Sequence, residues 1–127
     1  MDLDNPVIKL CAAGSLAEFE GRIEGACNLY KKAWQAANDN YEKCIAAHYV
    51  ARYQEDPQET LKWNLEALHY AEQMDDEEIK EFFPSLYLNL GHSYEKLGDQ
   101  VRANRFYDLA AELGVPHQPG PNNRWSG

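Results

Sequence analysis

The stretch from Pro84 to Leu113, PSLYLNLGHSYEKLGDQVRANRFYDLAAEL, reads as two amphipathic helices joined by a tight turn. Leu86, Leu90, Tyr94 and Leu97 recur at helical spacing and make one apolar face. Gly98 and Asp99 end that helix and start the next, glycine as a left-handed cap and aspartate as an N-cap. Ala103, Phe106, Tyr107, Ala110 and Leu113 carry the second apolar face. Small residues, Gly91 on one helix and Ala103 and Ala110 on the other, stand where the two backbones must approach. Leu90, Tyr94 and Tyr107 are large enough to fill the space around them.

The same spacing recurs upstream. Gly14, Gly21, Ala26, Tyr30 and Ala33 follow one another at the separations of Gly91, Gly98, Ala103, Tyr107 and Ala110, so residues 7–40 form a first unit. Asn5 and Pro6 open it as N-cap and first helical residue. A second unit spans residues 41–74, with a capping box expected from Asp39 and Glu42 and a further helix start at Asp56-Pro57-Gln58-Glu59. The third, residues 84–117, is preceded by an insertion, DDEEIKEFF at 75–83. Its carboxylates suit the positive end of a helix, which is expected to begin there and to be kinked or restarted by Pro84.

This pattern resembles the tetratricopeptide repeat, a helix-turn-helix of 34 residues. Leu90, Gly91, Tyr94, Gly98, Asp99, Ala103, Tyr107 and Ala110 fall on its signature positions, and Tyr87 stands where tryptophan is usual. The resemblance implies an all-α, right-handed superhelix of three helix-turn-helix hairpins with six main helices. These would form a single domain over residues 1–115, followed by a flexible tail at 116–127 whose Trp125 is a possible ligand for the chain's own groove. It also implies that Ile23, Cys27, Trp34, Leu61 and Leu68 pack against a following unit. Gln100, Asn104 and Ala111, at the matching places of the last unit, suit a water-facing end. The second unit departs from its sisters at His48, Ala51 and Asn64. His48 is large where the others are small and Asn64 is small where they carry tyrosine, so a hydrogen bond between the two is expected.

A net charge of −9 argues against sequence-independent nucleic-acid binding and against docking on an anionic membrane. No long apolar run and no secretory leader pattern stand out, so the expectation is a soluble, cytoplasmic protein. Three cysteines, Cys11, Cys27 and Cys44, lie within helical patterns and read as reduced, partly buried thiols. Cys44 and His48 share a helix face, but no nucleophile motif or oxyanion loop accompanies them, and structural burial is the expected reading. No metal-ligand spacing, EF-hand loop or phosphate-binding loop occurs, so neither enzyme activity nor a metal or other cofactor is expected.

What remains is a surface. In tetratricopeptide arrays the first helix of each hairpin lines a concave groove that holds a partner peptide or helix. The resemblance places Cys11, Ser15, Glu18 and Phe19 there from the first unit. From the second it places Ile45, Tyr49, Arg52 and Tyr53, and from the third Ser85, Leu88, His92 and Lys96. Phe19, Ile45, Tyr49, Arg52, Tyr53, Leu88, His92 and Lys96 are the expected contacts, with Tyr49 and Tyr53 side by side as aromatic anchors. Members that clamp a chain-terminal carboxylate use basic and amide residues where this chain has Cys11, Ser15, Ala46, Ser85 and Asn89, so that activity is not expected. The implied function is a non-catalytic scaffold for a protein or peptide partner. The alternatives are a dedicated chaperone for a secreted or assembly-prone protein, and a homodimer joined through Trp63 and Phe106.

Overall fold

A computed structural model describes residues 4–114 as an all-helical chain with no strand among them. The tail at 116–127, with Trp125, lies outside the described residues. Six helices of eleven residues or more carry the fold: α1 (Pro6–Phe19), α2 (Ile23–Ala36), α3 (Asn40–Val50), α4 (Pro57–Glu72), α6 (Phe83–Lys96) and α7 (Gln100–Glu112). A single turn, α5 (Glu77–Lys80), precedes α6, and a 3-10 turn, Ala51–Tyr53, extends α3. None is long and apolar enough to cross a membrane.

The helix starts follow from local chemistry. Asn5 accepts from the Val7 and Ile8 amides ahead of α1, and Asp39 and Glu42 form a reciprocal capping box on α3. Asp56 caps α4 with Pro57 at its first position. Gly21 and Gly98 adopt φ of 83° and 81°, where a side chain would be strained. The two turns share their hydrogen bonds: Arg22 N–H to Ala17 carbonyl at 2.8 Å, and Asp99 N–H to Tyr94 carbonyl at 2.9 Å.

The helices pair as three hairpins in chain order, α1 with α2, α3 with α4, and α6 with α7. The second hairpin meets the first through α3 and the third through α4, which packs on α6. In the outer hairpins one device recurs. A Cβ on Gly14 would lie 2.4 Å from Cε1 of Tyr30, and one on Gly91 would lie 2.4 Å from Cε1 of Tyr107. Each ring packs against bare backbone, and each phenol donates to a carboxylate one turn further on, Tyr30 to Glu18 at 2.7 Å and Tyr107 to Glu95 at 2.6 Å.

The insertion is neither a loop nor an extension of α6. Asp76 caps α5, the chain leaves that helix after Lys80, and a new helix starts at Phe83 with Pro84 in its first turn. Proline lacks the amide that a continuous helix would need at this point. Ile79 anchors the segment, 1% exposed beside Ala71, Leu86 and Leu90, while Asp75, Asp76, Glu77 and Glu78 stay in water.

Candidate functional site

In the middle hairpin the glycine, tyrosine and carboxylate of the outer two are all exchanged. His48 stands at the glycine position, Asn64 at the tyrosine and Arg52 at the carboxylate. Beside these residues lies an open cleft of about 270 Å³. Its wall is made by His48, Ala51, Arg52 and Tyr53 from α3 and the 3-10 turn, Thr60 and Asn64 from α4, and Asn89, His92, Ser93 and Lys96 from α6.

The expected His48–Asn64 hydrogen bond does not form. Both reach across to α6 instead, Asn64 Nδ2 donating to Ser93 Oγ at 2.9 Å and Asn89 Nδ2 lying 3.2 Å from His48 Nδ1. Each side chain finds its polar partner on α6 rather than in the other. His48, Asn64 and Ser93 are buried polar groups satisfied in this way. Burial first, and then the Arg52 charge, push the His48 imidazole down to about 4, so it is neutral near pH 7.

Arg52 is held by the first hairpin. Its Nε and Nη2 donate to the two oxygens of Glu18 at 3.2 and 2.6 Å. Burial acts to raise the Glu18 carboxyl, but hydrogen bonds from Arg52, Tyr30 and Tyr53 outweigh it and hold the group below its usual range. Lys96, on the opposite wall, is exposed and makes no ion pair within the described residues. The fixed charges at the cleft are therefore Arg52, Lys96 and the compensating Glu18, a net of about one positive charge in a chain of net charge −9.

The expected groove residues separate into four groups. Arg52, Tyr53, His92 and Lys96 line this one cleft. Phe19 is 90% exposed at the end of α1, the place in its hairpin that Tyr53 and Lys96 hold in theirs. Ile45 and Leu88 are not available to a partner. Ile45 is 2% exposed among Val7, Ile8 and Cys11, and Leu88 is 5% exposed against Ala103 and Tyr107. The neighbouring helices turn this row inward as core. Tyr49 does not pair with Tyr53, because α3 tightens into a 3-10 turn after Val50; its ring stacks on Tyr30 with centroids 5.1 Å apart. Thr60, Asn64 and Ser93 belong to the cleft although the groove pattern does not select them. The signal for them is the triple exchange at positions 48, 52 and 64.

Other expected features are also relocated. Trp63 packs edge-on against Trp34 at 4.9 Å, and Phe106 stacks on Tyr94 at 5.7 Å, and both rings are half-buried. Ile23 is 40% exposed rather than packed on the next hairpin. Burial pushes the thiols of Cys11 and Cys44 up to about 12, which keeps both protonated near pH 7. Among the described residues no group of three or more His, Cys, Asp or Glu side chains could hold a metal ion.

No protein-family model, curated protein or solved structure matches the chain.

Proposed function

We propose that this chain is a non-catalytic interaction module of the tetratricopeptide type, cytoplasmic, with its three hairpins curved into a right-handed superhelix. It holds a segment of a protein partner along the ends of α1, the 3-10 turn and α6. The observation that supports this most is the convergence of Arg52, Tyr53, His92 and Lys96 on one open cleft, with Phe19 uncovered beyond the Glu18–Arg52 bridge. An exposed phenylalanine and a half-exposed tyrosine supply apolar anchors, and the polar cleft between α4 and α6 orients what they hold. The recurrence of the Gly–Tyr–Glu device in the outer hairpins supports the repeat reading.

Affinity capture from the source organism's lysate tests this, with wild type run beside a Phe19→Ala/Tyr53→Ala variant. Both rings are exposed enough for the variant to keep its helical circular dichroism. A partner that wild type retains and the folded variant loses supports the reading. A partner retained equally by both moves the site elsewhere, and the absence of any partner removes the proposal.

A further inference from the structure

The insertion at 75–83 breaks the repeat, and the proposed groove leaves it unused. Four of its residues, Glu78, Ile79, Glu81 and Phe82, meet Tyr41 and Ile45 of α3 around an open cavity of about 200 Å³. Ile45 and Ile79 line it from the core side, where both are buried. The Tyr41 and Phe82 rings are half-buried, and the two carboxylates are exposed. We infer that this cavity is a binding site for an organic cation whose charge sits on an apolar or planar group, a guanidinium or an alkylated ammonium. The cation lies between the two rings, facing Glu78 and Glu81.

Charge and wall chemistry favour this ligand. Among the described residues no basic side chain lines the cavity. Lys80, the insertion's own cation, is held outside it by Asp75 at 3.3 Å and Glu77 at 3.5 Å. Lys43, on α3, lies instead over the rings of Trp34 and Tyr70. Glu81 makes no ion pair among the described residues, and Glu78 accepts the Tyr41 hydroxyl at 3.2 Å, which leaves its negative charge in place. The rim therefore carries two carboxylate charges in a chain of net charge −9, a field that attracts cations. A bare metal ion would need a shell of oxygens that isoleucine and phenylalanine do not supply. A guanidinium or an alkylated ammonium is weakly hydrated, gains from aromatic rings, and leaves its apolar surface against the isoleucines. Its source is either a free amine or guanidine, or a basic side chain of a partner. The inference does not rest on the proposed function, whose residues lie at the opposite ends of α3 and α6.

Methyl carbon–proton correlation spectra of the full-length protein at low ionic strength provide the test, read at the δ1 methyls of Ile45 and Ile79. The probes are choline, its uncharged isostere 3,3-dimethyl-1-butanol, and N-acetylarginine amide. The cations are expected to shift both methyls with Kd on the order of 1–10 mM, and the alcohol to bind at least about fivefold more weakly. The tighter of the two cations tells whether the site suits a free ammonium or a partner's side chain. Glu81→Gln, on an exposed side chain, is expected to weaken the cations at least about threefold without moving the melting temperature. Glu55→Gln removes the same charge at an exposed residue beyond the far end of α3, and is expected to leave their affinity within about twofold.

Three results would overturn the inference. They are no shift at either methyl, equal affinity for the uncharged alcohol, or equal losses in Glu81→Gln and Glu55→Gln, which would reduce the effect to net charge. Cation binding by a protein that captures no partner would leave this inference standing and remove the proposed function. A partner lost with Phe19 and Tyr53, in a protein blind to both cations, would do the reverse.

Discussion

Adding one methyl group at Gly91 tests the packing logic of the outer hairpins. The new Cβ would lie 2.4, 2.6 and 3.0 Å from Cε1, Cδ1 and Cζ of Tyr107. The ring is only 5% exposed, sits against Leu88 and Ala103, and is tethered by its hydroxyl to Glu95. It must therefore shift as a body. Overpacking of this kind costs about 1–3 kcal/mol, and loss of the bond to a charged acceptor about 1.5–3 kcal/mol more. Alanine's better helix propensity returns about 0.5–1 kcal/mol, so Gly91→Ala is expected to destabilise by about 1.5–5.5 kcal/mol. At about 4 °C per kcal/mol for a chain of this size, the melting temperature falls by about 6–22 °C. Gly25→Ala is the control, because the nearest atom to its new Cβ is Arg22 Cβ at 3.9 Å. There the propensity gain stands alone and stability rises by up to about 1 kcal/mol. The assay is urea unfolding followed by circular dichroism, with a Gly91→Ala/Tyr107→Leu variant recovering part of the loss by removing the ring's far end. A Gly91→Ala protein within about 0.5 kcal/mol of wild type would refute the reasoning.

Other outcomes follow from the same contacts. His48 has its folded pKa near 4 against 6.5 in the unfolded chain, so the unfolded state binds the extra proton between those values. Stability is therefore full above pH 6.5 and declines as pH falls towards 4, by about 3 kcal/mol in total; urea midpoints across this range measure it, and His48→Gln removes the slope. The depressed carboxyls of Glu18 and Glu42 contribute in a lower window, their stability present above their unfolded pKa near 4.5 and lost as pH falls through their folded values. Ile79→Ala empties a core site held by the insertion and is expected to cost about 2–4 kcal/mol in the same unfolding assay. Phe19→Ser, at a side chain 90% exposed, is expected to change stability by less than about 0.5 kcal/mol, which calorimetry checks.

Much of the helical framework is legible because it is written in short-range chemistry. Asn5, Asp39 with Glu42, Asp56, Gly21 and Gly98 each act on backbone groups within a few residues, so their roles need no knowledge of the fold. The pairing of Gly14 with Tyr30 and Gly91 with Tyr107 is also visible, as a spacing. Which side of a first helix faces water is not. Ile45 and Leu88 occupy groove positions in the repeat pattern, yet α1 and α7 respectively bring core against them. The partners of His48 and Asn64 are equally hidden, because the insertion intervenes in sequence between them and the α6 residues they meet. The site itself is half legible: the exchanges at 48, 52 and 64 stand out, whereas the cleft beside them appears only in three dimensions.

The Gly–Tyr–Glu device has a consequence for how the molecule comes apart. Linear arrays have one neighbour at each terminal unit, so fraying from the ends is their default mode of opening. Here both terminal hairpins are locked from within, by a ring on bare backbone and a phenol on a carboxylate. The central hairpin instead draws its polar bonds from its neighbours, from Glu18 on one side and from Asn89 and Ser93 on the other. It lacks the internal ring-and-phenol lock of the other two and is tied to both flanks instead. Opening of the central hairpin is thus coupled, through these bonds, to both of its flanks.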